Sequence, residues 1–213
     1  GLRQAHYLIF REVRVTARLC NVPNVALHPL SVGTGWGNDG RPYNTRIGDT
    51  VGLSGLLDEA VSRALQIVSD NDDRKPDGPE LSTVERQQIA EAVGIAALKY
   101  ADLSQNRTSD YTFSYDKMLA MQGNTATYMQ YAHARVRSIF RRGKIDIEAL
   151  RASDAAIQLG SPAERALAIM LLRFSEALEM TLVDYRPNQL TVYLFELANA
   201  YSTFFENCPV LKA

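Results

Sequence analysis

From Asp116 onward the sequence leaves little room for anything but helix. Apolar positions recur at steps of three and four, and the interruptions fall at Gly143, Gly160, Pro162 and Pro187. Glycine ends a helix cheaply, and proline sits best in a first turn. These marks predict four helices, over 125–142, 145–159, 162–182 and 187–206. Such helices can bury their apolar stripes only against one another, so the expected architecture is an α-helical bundle.

The first part reads differently. Residues 4–20 carry an amphipathic pattern through Leu8, Ile9, Val13, Ala17 and Leu19. The stretch 25–36 alternates loosely and is cut by Gly33, Gly35 and Gly37, which suggests a strand and a loop. Residues 54–69 form a helix striped by Leu56, Leu57, Ala60, Ala64 and Ile67. The run 70–80, NDDRKPDGPE with its flanking aspartate, is the most loop-like of the chain. Ser82 and Glu85 then have capping-box spacing and open a helix running through Ile89, Ala92, Val93, Ala96 and Ala97 towards Tyr100. A small α/β part over 1–120 followed by a helical part over 121–213 is the expected organisation, mainly α throughout.

At 213 residues and 46% hydrophobic the chain can bury a core, and global disorder is not expected. The net charge of −1 excludes a uniformly basic nucleic-acid binder, so any contact with RNA must come from a local patch. Cys20 and Cys208 fit neither a disulfide framework nor a zinc site and suit a reducing cytosol. No apolar run approaches the length of a membrane span, and Gly1 is not followed by a charged-then-apolar leader.

Two stretches carry residues with chemistry. In NDGRPYNTRIGDT (38–50), glycines give backbone freedom, hydroxyls can donate to phosphate, and Arg41 and Arg46 can stabilise a charged leaving group. A plain surface loop has the same composition. Between Lys99 and Ile139, Tyr100, Tyr111, Phe113, Tyr115, Tyr128 and Tyr131 are interleaved with Arg107, Lys117, Arg135 and Arg137. Rings stack bases while cations neutralise phosphates, which suits single-stranded nucleic acid. Tyr128, Tyr131 and Arg135 fall on one helical face, and Arg137, Arg141, Arg142 and Lys144 extend the basic cluster. Aromatics at helical spacing are more often core, and a charge run is commonly a solvated face, so both readings stand on the residues alone. Asp102, Ser104, Gln105, Asn106, Arg107 and Asp110 form a polar knot that reads as a turn held by side-chain to backbone hydrogen bonds.

The blocks ADLSQNRTSDYTFSYDKML and GNTATYMQYAHARVRSIF, with NDGRPYNTRIGDTVGLSGLLDEA upstream and LRFSEALEM and RPNQLTVYLFELANAYSTFFENCPVL downstream, resemble the arginyl-tRNA synthetases. The resemblance implies the C-terminal part of a class I, Rossmann-type catalytic domain over 1–120, followed by an α-helical anticodon-binding domain over 121–213. It implies ATP-dependent arginylation of tRNA-Arg through an arginyl-adenylate, with Mg²⁺ accompanying ATP and no metal held by the protein. By the same resemblance, 41–50 is the signature loop of a class I synthetase. Thr45 and Arg46 are its catalytic residues, and Arg41, Asn44 and Gly48 are its ATP-binding ones. The loop departs from the family in carrying Asn44 where a lysine is usual. Gln4 is placed to bind arginine, although His6 lies closer to it than in the family and a helix-cap role fits Gln4 as well. Tyr128, Tyr131, Arg135, Arg137 and Arg141 are implied in tRNA binding, with Tyr193 a further member.

The three histidines, His6, His28 and His133, cannot form the His-Ile-Gly-His motif that holds ATP in such enzymes. The family also continues past the Asn207–Leu211 block. The expectation is therefore a piece of a longer enzyme, inactive by itself, cytoplasmic and monomeric, binding neither DNA nor membrane. A non-catalytic tRNA- or RNA-binding module derived from a synthetase is the alternative, and a helical interaction domain without an RNA role is a third.

Overall fold

Two long helices, α1 (Leu53–Asp73) and α2 (Thr83–Ser104), pack against each other along a seam of small residues. A computed structural model describes residues 35–36, 53–112 and 114–212. The helix expected over 4–20 lies outside them, as does all of the expected strand and loop except Gly35 and Trp36. The pairing of α1 and α2 is antiparallel: Ala60 meets Gly94, whereas Asp72, further along α1, meets Arg86, further back on α2. Ala60, Ala64, Ala90 and Ala97 are buried at the crossing. A Cβ on Gly94 would lie 2.7 Å from the Ala60 carbonyl oxygen, so the close approach itself demands glycine there. The expected stripe on α2 is displaced from this seam: Ile89 is exposed, and Ala90, Gly94 and Ala97 do the packing.

α1 runs four residues further than expected, into the polar run. The reason is Asp72, buried at the end of the helix. Its carboxylate accepts from the Glu80 and Leu81 amides (both 3.1 Å) and from Arg86 Nη2 (2.8 Å), and it pairs with Lys75 Nζ (2.9 Å). The loop is thereby reduced to 74–82. Ser82 and Glu85 form the expected capping box.

β1 (Gly35–Trp36) and β2 (Tyr111–Thr112) pair in parallel, Gly35 opposite Tyr111 and Trp36 opposite Thr112. A single turn, α3 (Tyr115–Met118), follows and lays Met118 and Leu119 into the α1–α2 core. α4 (Ala126–Gly143) is capped by Thr125, whose Oγ1 accepts from the Tyr128 amide and donates to the Ala120 carbonyl. α4 closes on Lys144 in the left-handed region at φ 51°. The preceding Gly143 is kept small by Ile145 and Leu211, each 3.1 Å from where its Cβ would stand.

Two expected helices are broken. The one over 145–159 reduces to α5 (Ile147–Arg151), and 152–160 is irregular and exposed. A short helix needs a buried face, and Ile157 is 88% exposed, with nothing among the described residues to pack on. The helix over 162–182 divides into α6 (Pro162–Leu172) and α7 (Phe174–Asp184) at Arg173. Tyr193 Oη donates to the Met170 carbonyl (2.9 Å), the acceptor that an unbroken helix would offer to the Phe174 amide, and a side chain inserted into the ladder kinks it. The last helix, α8 (Pro187–Asn207), packs against α2, α4, α6 and α7 and ends in a 3₁₀ turn over Val210–Lys212. Its Ala198 and Tyr201 make the second core with Ala132 of α4, flanked by Met129, Val136, Leu167 and Phe204. None of the described helices is long and apolar enough to cross a membrane.

Candidate nucleic-acid interface

The aromatic and basic residues of α4 do not all face one way. At about 100° per residue, Tyr131, Arg135 and Arg142 lie within about 40° of one another, while Arg141 lies about 120° and Arg137 about 160° round from Arg135. α8 decides what the first group does. Arg135 carries its guanidinium carbon 3.9 Å from the ring centre of Phe205 and 5.4 Å from that of Tyr131. A flat cation held between two rings forms a continuous π surface with positive charge at its middle. Tyr131 is 44% exposed and Phe205 36%, so the outer part of that surface is open. A groove of about 410 Å³ continues from it, lined by Ile139, Arg142, Phe205, Cys208, Val210 and Leu211. Among the described residues, Arg137, Arg141, Arg142 and Lys144 have no carboxylate partner, so Arg137 and Arg141 leave the outward side of α4 positive while Arg142 adds charge beside the platform.

Two tyrosines of the expected set do other work. The Tyr128 hydroxyl donates to Asn199 Oδ1 (3.0 Å) and lies 3.3 Å from Ser202 Oγ, and its ring meets Phe195 edge-on at 5.9 Å. It joins α4 to α8 and is half-buried, with little ring face left for a base. The place of Tyr193 does not support the role expected of it: it is buried, its hydroxyl is spent on Met170, and its ring lies against Phe174 at 5.8 Å, which leaves little of it open to RNA. Burial pushes its hydroxyl up, only partly offset by Arg173. Beneath the platform, burial likewise pushes the Tyr201 hydroxyl up, with Arg135 opposing, and that hydroxyl has no hydrogen-bond partner among the described residues. Gln4, Arg41, Asn44, Thr45, Arg46 and Gly48 lie outside the described residues.

Asp102 and Ser104 of the polar knot belong to the last turn of α2, and the rest is a turn, as expected, that reaches further than itself. Asn106 Oδ1 accepts from the Thr108 amide and hydroxyl. Arg107, in contrast, donates from Nε to the Tyr185 carbonyl and from Nη2 to the Asp184 carbonyl, both at 3.1 Å. It thus caps the C-terminus of α7, where the helix dipole welcomes a cation.

Residues 3–115 match the family described as tRNA synthetases class I (R), catalytic domain, and residues 129–213 match the DALR anticodon binding domain. The chain belongs to the class I arginyl-tRNA synthetases. An arginine–tRNA ligase of Rhodopirellula baltica is 47% identical over 211 residues, covering 95% of this chain and 31% of the relative. One from Synechocystis is 46% identical over 98% of this chain and 35% of the relative. Among solved structures, arginyl-tRNA synthetase from Plasmodium falciparum aligns at TM-score 0.67 and 31% identity, over 84% of this chain and 29% of that one. The Thermus thermophilus arginyl-tRNA synthetase aligns at TM-score 0.68 and 27% identity, over 86% of this chain and 29% of that one. The chain thus spans about a third of the length of the curated synthetases it matches.

Phe205, Asn199 and Ser202 are the residues of this synthetase surface that sequence reasoning does not find. Each is about seventy positions from its partner on α4, and no local spacing announces the pairing. The one signal available is that α8, like α4, is rich in aromatic residues.

Proposed function

We propose that this chain is the part of an arginine–tRNA ligase that engages tRNA-Arg through α4 and α8 and contributes the signature loop to arginine activation. The observation that carries the reading is the Tyr131–Arg135–Phe205 platform, lying within the stretch that matches an anticodon binding domain. An unpaired anticodon base can stack on Tyr131 or Phe205 while Arg142 meets its phosphate, with Arg137 and Arg141 adding a weaker field from further round the helix. In the complete reaction, arginine's carboxylate attacks the α-phosphorus of ATP and expels pyrophosphate to give the arginyl-adenylate, and a tRNA terminal hydroxyl then takes the arginyl group and releases AMP. ATP brings Mg²⁺ with it. Thr45 and Arg46 would steady the phosphates with Arg41, Asn44 and Gly48, and Gln4 would hold the arginine. The match over 3–115 supports these roles without placing the side chains. The same reading puts the protein in the cytoplasm, as a monomer, with a catalytic part ending near residue 120.

A second reading, a synthetase-derived module that binds tRNA without activating arginine, is favoured by Asn44, because a neutral amide cannot replace a lysine's charge on a polyphosphate.

Binding of three tRNAs at physiological salt tests the proposal: one with an arginine anticodon, the same tRNA with that anticodon changed, and a non-cognate control. The expected result is preference for the arginine anticodon, lost in Tyr131→Ala with about a tenfold drop in affinity, within the range a base–aromatic stack contributes. Equal binding of all three would overturn anticodon reading and leave only a basic surface.

A further inference from the structure

α2 packs on both α4 and α8, and most of the side-chain hydrogen bonds among the described residues that tie it to the helices after it start from its last turns and the knot that follows. Tyr100 Oη shares its proton between Asn124 Oδ1 (2.7 Å), one residue before the cap of α4, and the Thr191 carbonyl (3.1 Å) on α8. Arg107 holds the carbonyls of Asp184 and Tyr185, where α7 turns into α8. Two side chains, seven positions apart, thus hold the start of α4, the end of α7 and the start of α8. A third link, from Gln130 Nε2 to the Ala92 carbonyl, is longer at 3.4 Å. Arg107 makes a two-pronged, charge-assisted contact to main-chain atoms, which fixes an angle as well as a distance. Tyr185 at φ 52° is the bend on which that angle turns. From Thr191 to Phe205 of the platform, α8 is a single unbroken helix spanning about 21 Å, stiff enough to carry that angle to its far end.

We propose that Tyr100 and Arg107 are positioning residues that set the anticodon-reading helices at a fixed orientation to the catalytic part, so that one tRNA is engaged by both at once. This rests on the tRNA-binding reading given above. Two contact areas on one ligand reinforce each other only when their separation is held. Loosening the joint lowers the effective concentration of the second contact and leaves the first intact.

The test uses the full chain with Tyr100→Phe and with Arg107→Gln, the first keeping the ring and the second keeping a polar, neutral side chain of comparable reach. Each is titrated with intact tRNA-Arg and with its isolated anticodon stem-loop, after circular dichroism confirms unchanged helix content. Arg107→Lys, which keeps the charge and loses the fork, serves should the glutamine variant not fold. Intact tRNA is expected to bind about tenfold more weakly to the variants, in line with a partial loss of two-point reinforcement, while the stem-loop binds within twofold of the unsubstituted chain. Equal weakening of both RNAs would overturn the proposal and make the two residues merely structural, and so would unchanged binding of both. Failure of the unsubstituted chain to bind either RNA would overturn the tRNA-binding reading itself, and the proposal with it.

Discussion

Asp72 is the one large side chain in the α1–α2 hairpin that is fully buried, and it is charged. Burial alone would push its carboxyl up. The hydrogen bonds from Lys75, from the Glu80 and Leu81 amides and from Arg86 outweigh that, and hold it well below the ordinary carboxylate range. A carboxylate with a depressed folded value contributes stability that is present above its unfolded value of about 3.9 and is lost as pH falls towards the folded one. Melting temperature followed from pH 7 to pH 2 should therefore fall steeply below about pH 4 in the unsubstituted chain. In Asp72→Asn the melting temperature should be lower at neutral pH and the acid slope shallower. It should not vanish, because Glu85, lowered by its bonds with Ser82, titrates in the same direction. Identical acid slopes in the two proteins would show that Asp72 is not the group being protonated. The sequence displays Asp72 only as one of four aspartates in a polar run, and nothing local marks it as the buried one. Ser82 and Glu85 are legible because a capping box is a spacing within four residues.

Tyr100 illustrates the same divide. Its ring is visible in the sequence as one of many aromatics, but its function as a donor depends on atoms 24 and 91 positions away. Burial pushes its hydroxyl up to about 12, so it stays protonated and able to donate well above neutral pH.

At the scale of elements, the helices of the second part were readable from glycine and proline placement, and their interruptions were not. The split at Arg173 comes from a tyrosine hydroxyl on another helix, and the shortness of α5 comes from the lack, among the described residues, of a surface to lie on. Neither cause is written near the segment it affects. Gly94 is the opposite case, a glycine inside a helix that propensity argues against. Replacing it with alanine gains about 0.8–1.0 kcal/mol of intrinsic helix preference. The new methyl carbon, however, would meet backbone atoms of Ala60 and Val61 at 2.7–2.8 Å, which cannot rotate away. Overpacking typically costs about 1–3 kcal/mol, and a collision with main chain belongs at the upper end, so the loss outweighs the gain. Gly94→Ala should therefore lower the melting temperature, by roughly 2–4 °C for each kcal/mol of net loss in a chain of this size. A raised melting temperature would mean that α1 and α2 can separate slightly without penalty.

For the molecule as a whole, the proposed binding of a polyanion has to be reconciled with a net charge of only −1. Attraction must come from the uneven placement of cations, and α4 places them in two sets. Arg135 and Arg142 stand with Tyr131 beside α8, and Arg141 and Arg137 lie progressively further round the outward side. Each phosphate contact releases counterions, so the slope of log affinity against log salt counts the contacts, and losing one reduces the slope by about 1. If tRNA is centred on the platform, Arg142→Ala should reduce the slope by about that amount. The Arg137→Ala, Arg141→Ala pair should then reduce it by less than the single Arg142 change does. Arg135→Ala should act differently again, lowering affinity at every salt concentration, because its guanidinium is engaged by two rings and its loss removes the stacking surface together with the charge. The opposite ordering, with the Arg137 and Arg141 pair dominating the slope, would place the RNA across the outward face of α4 and away from Phe205. A slope indifferent to all four arginines would remove α4 from the binding surface altogether.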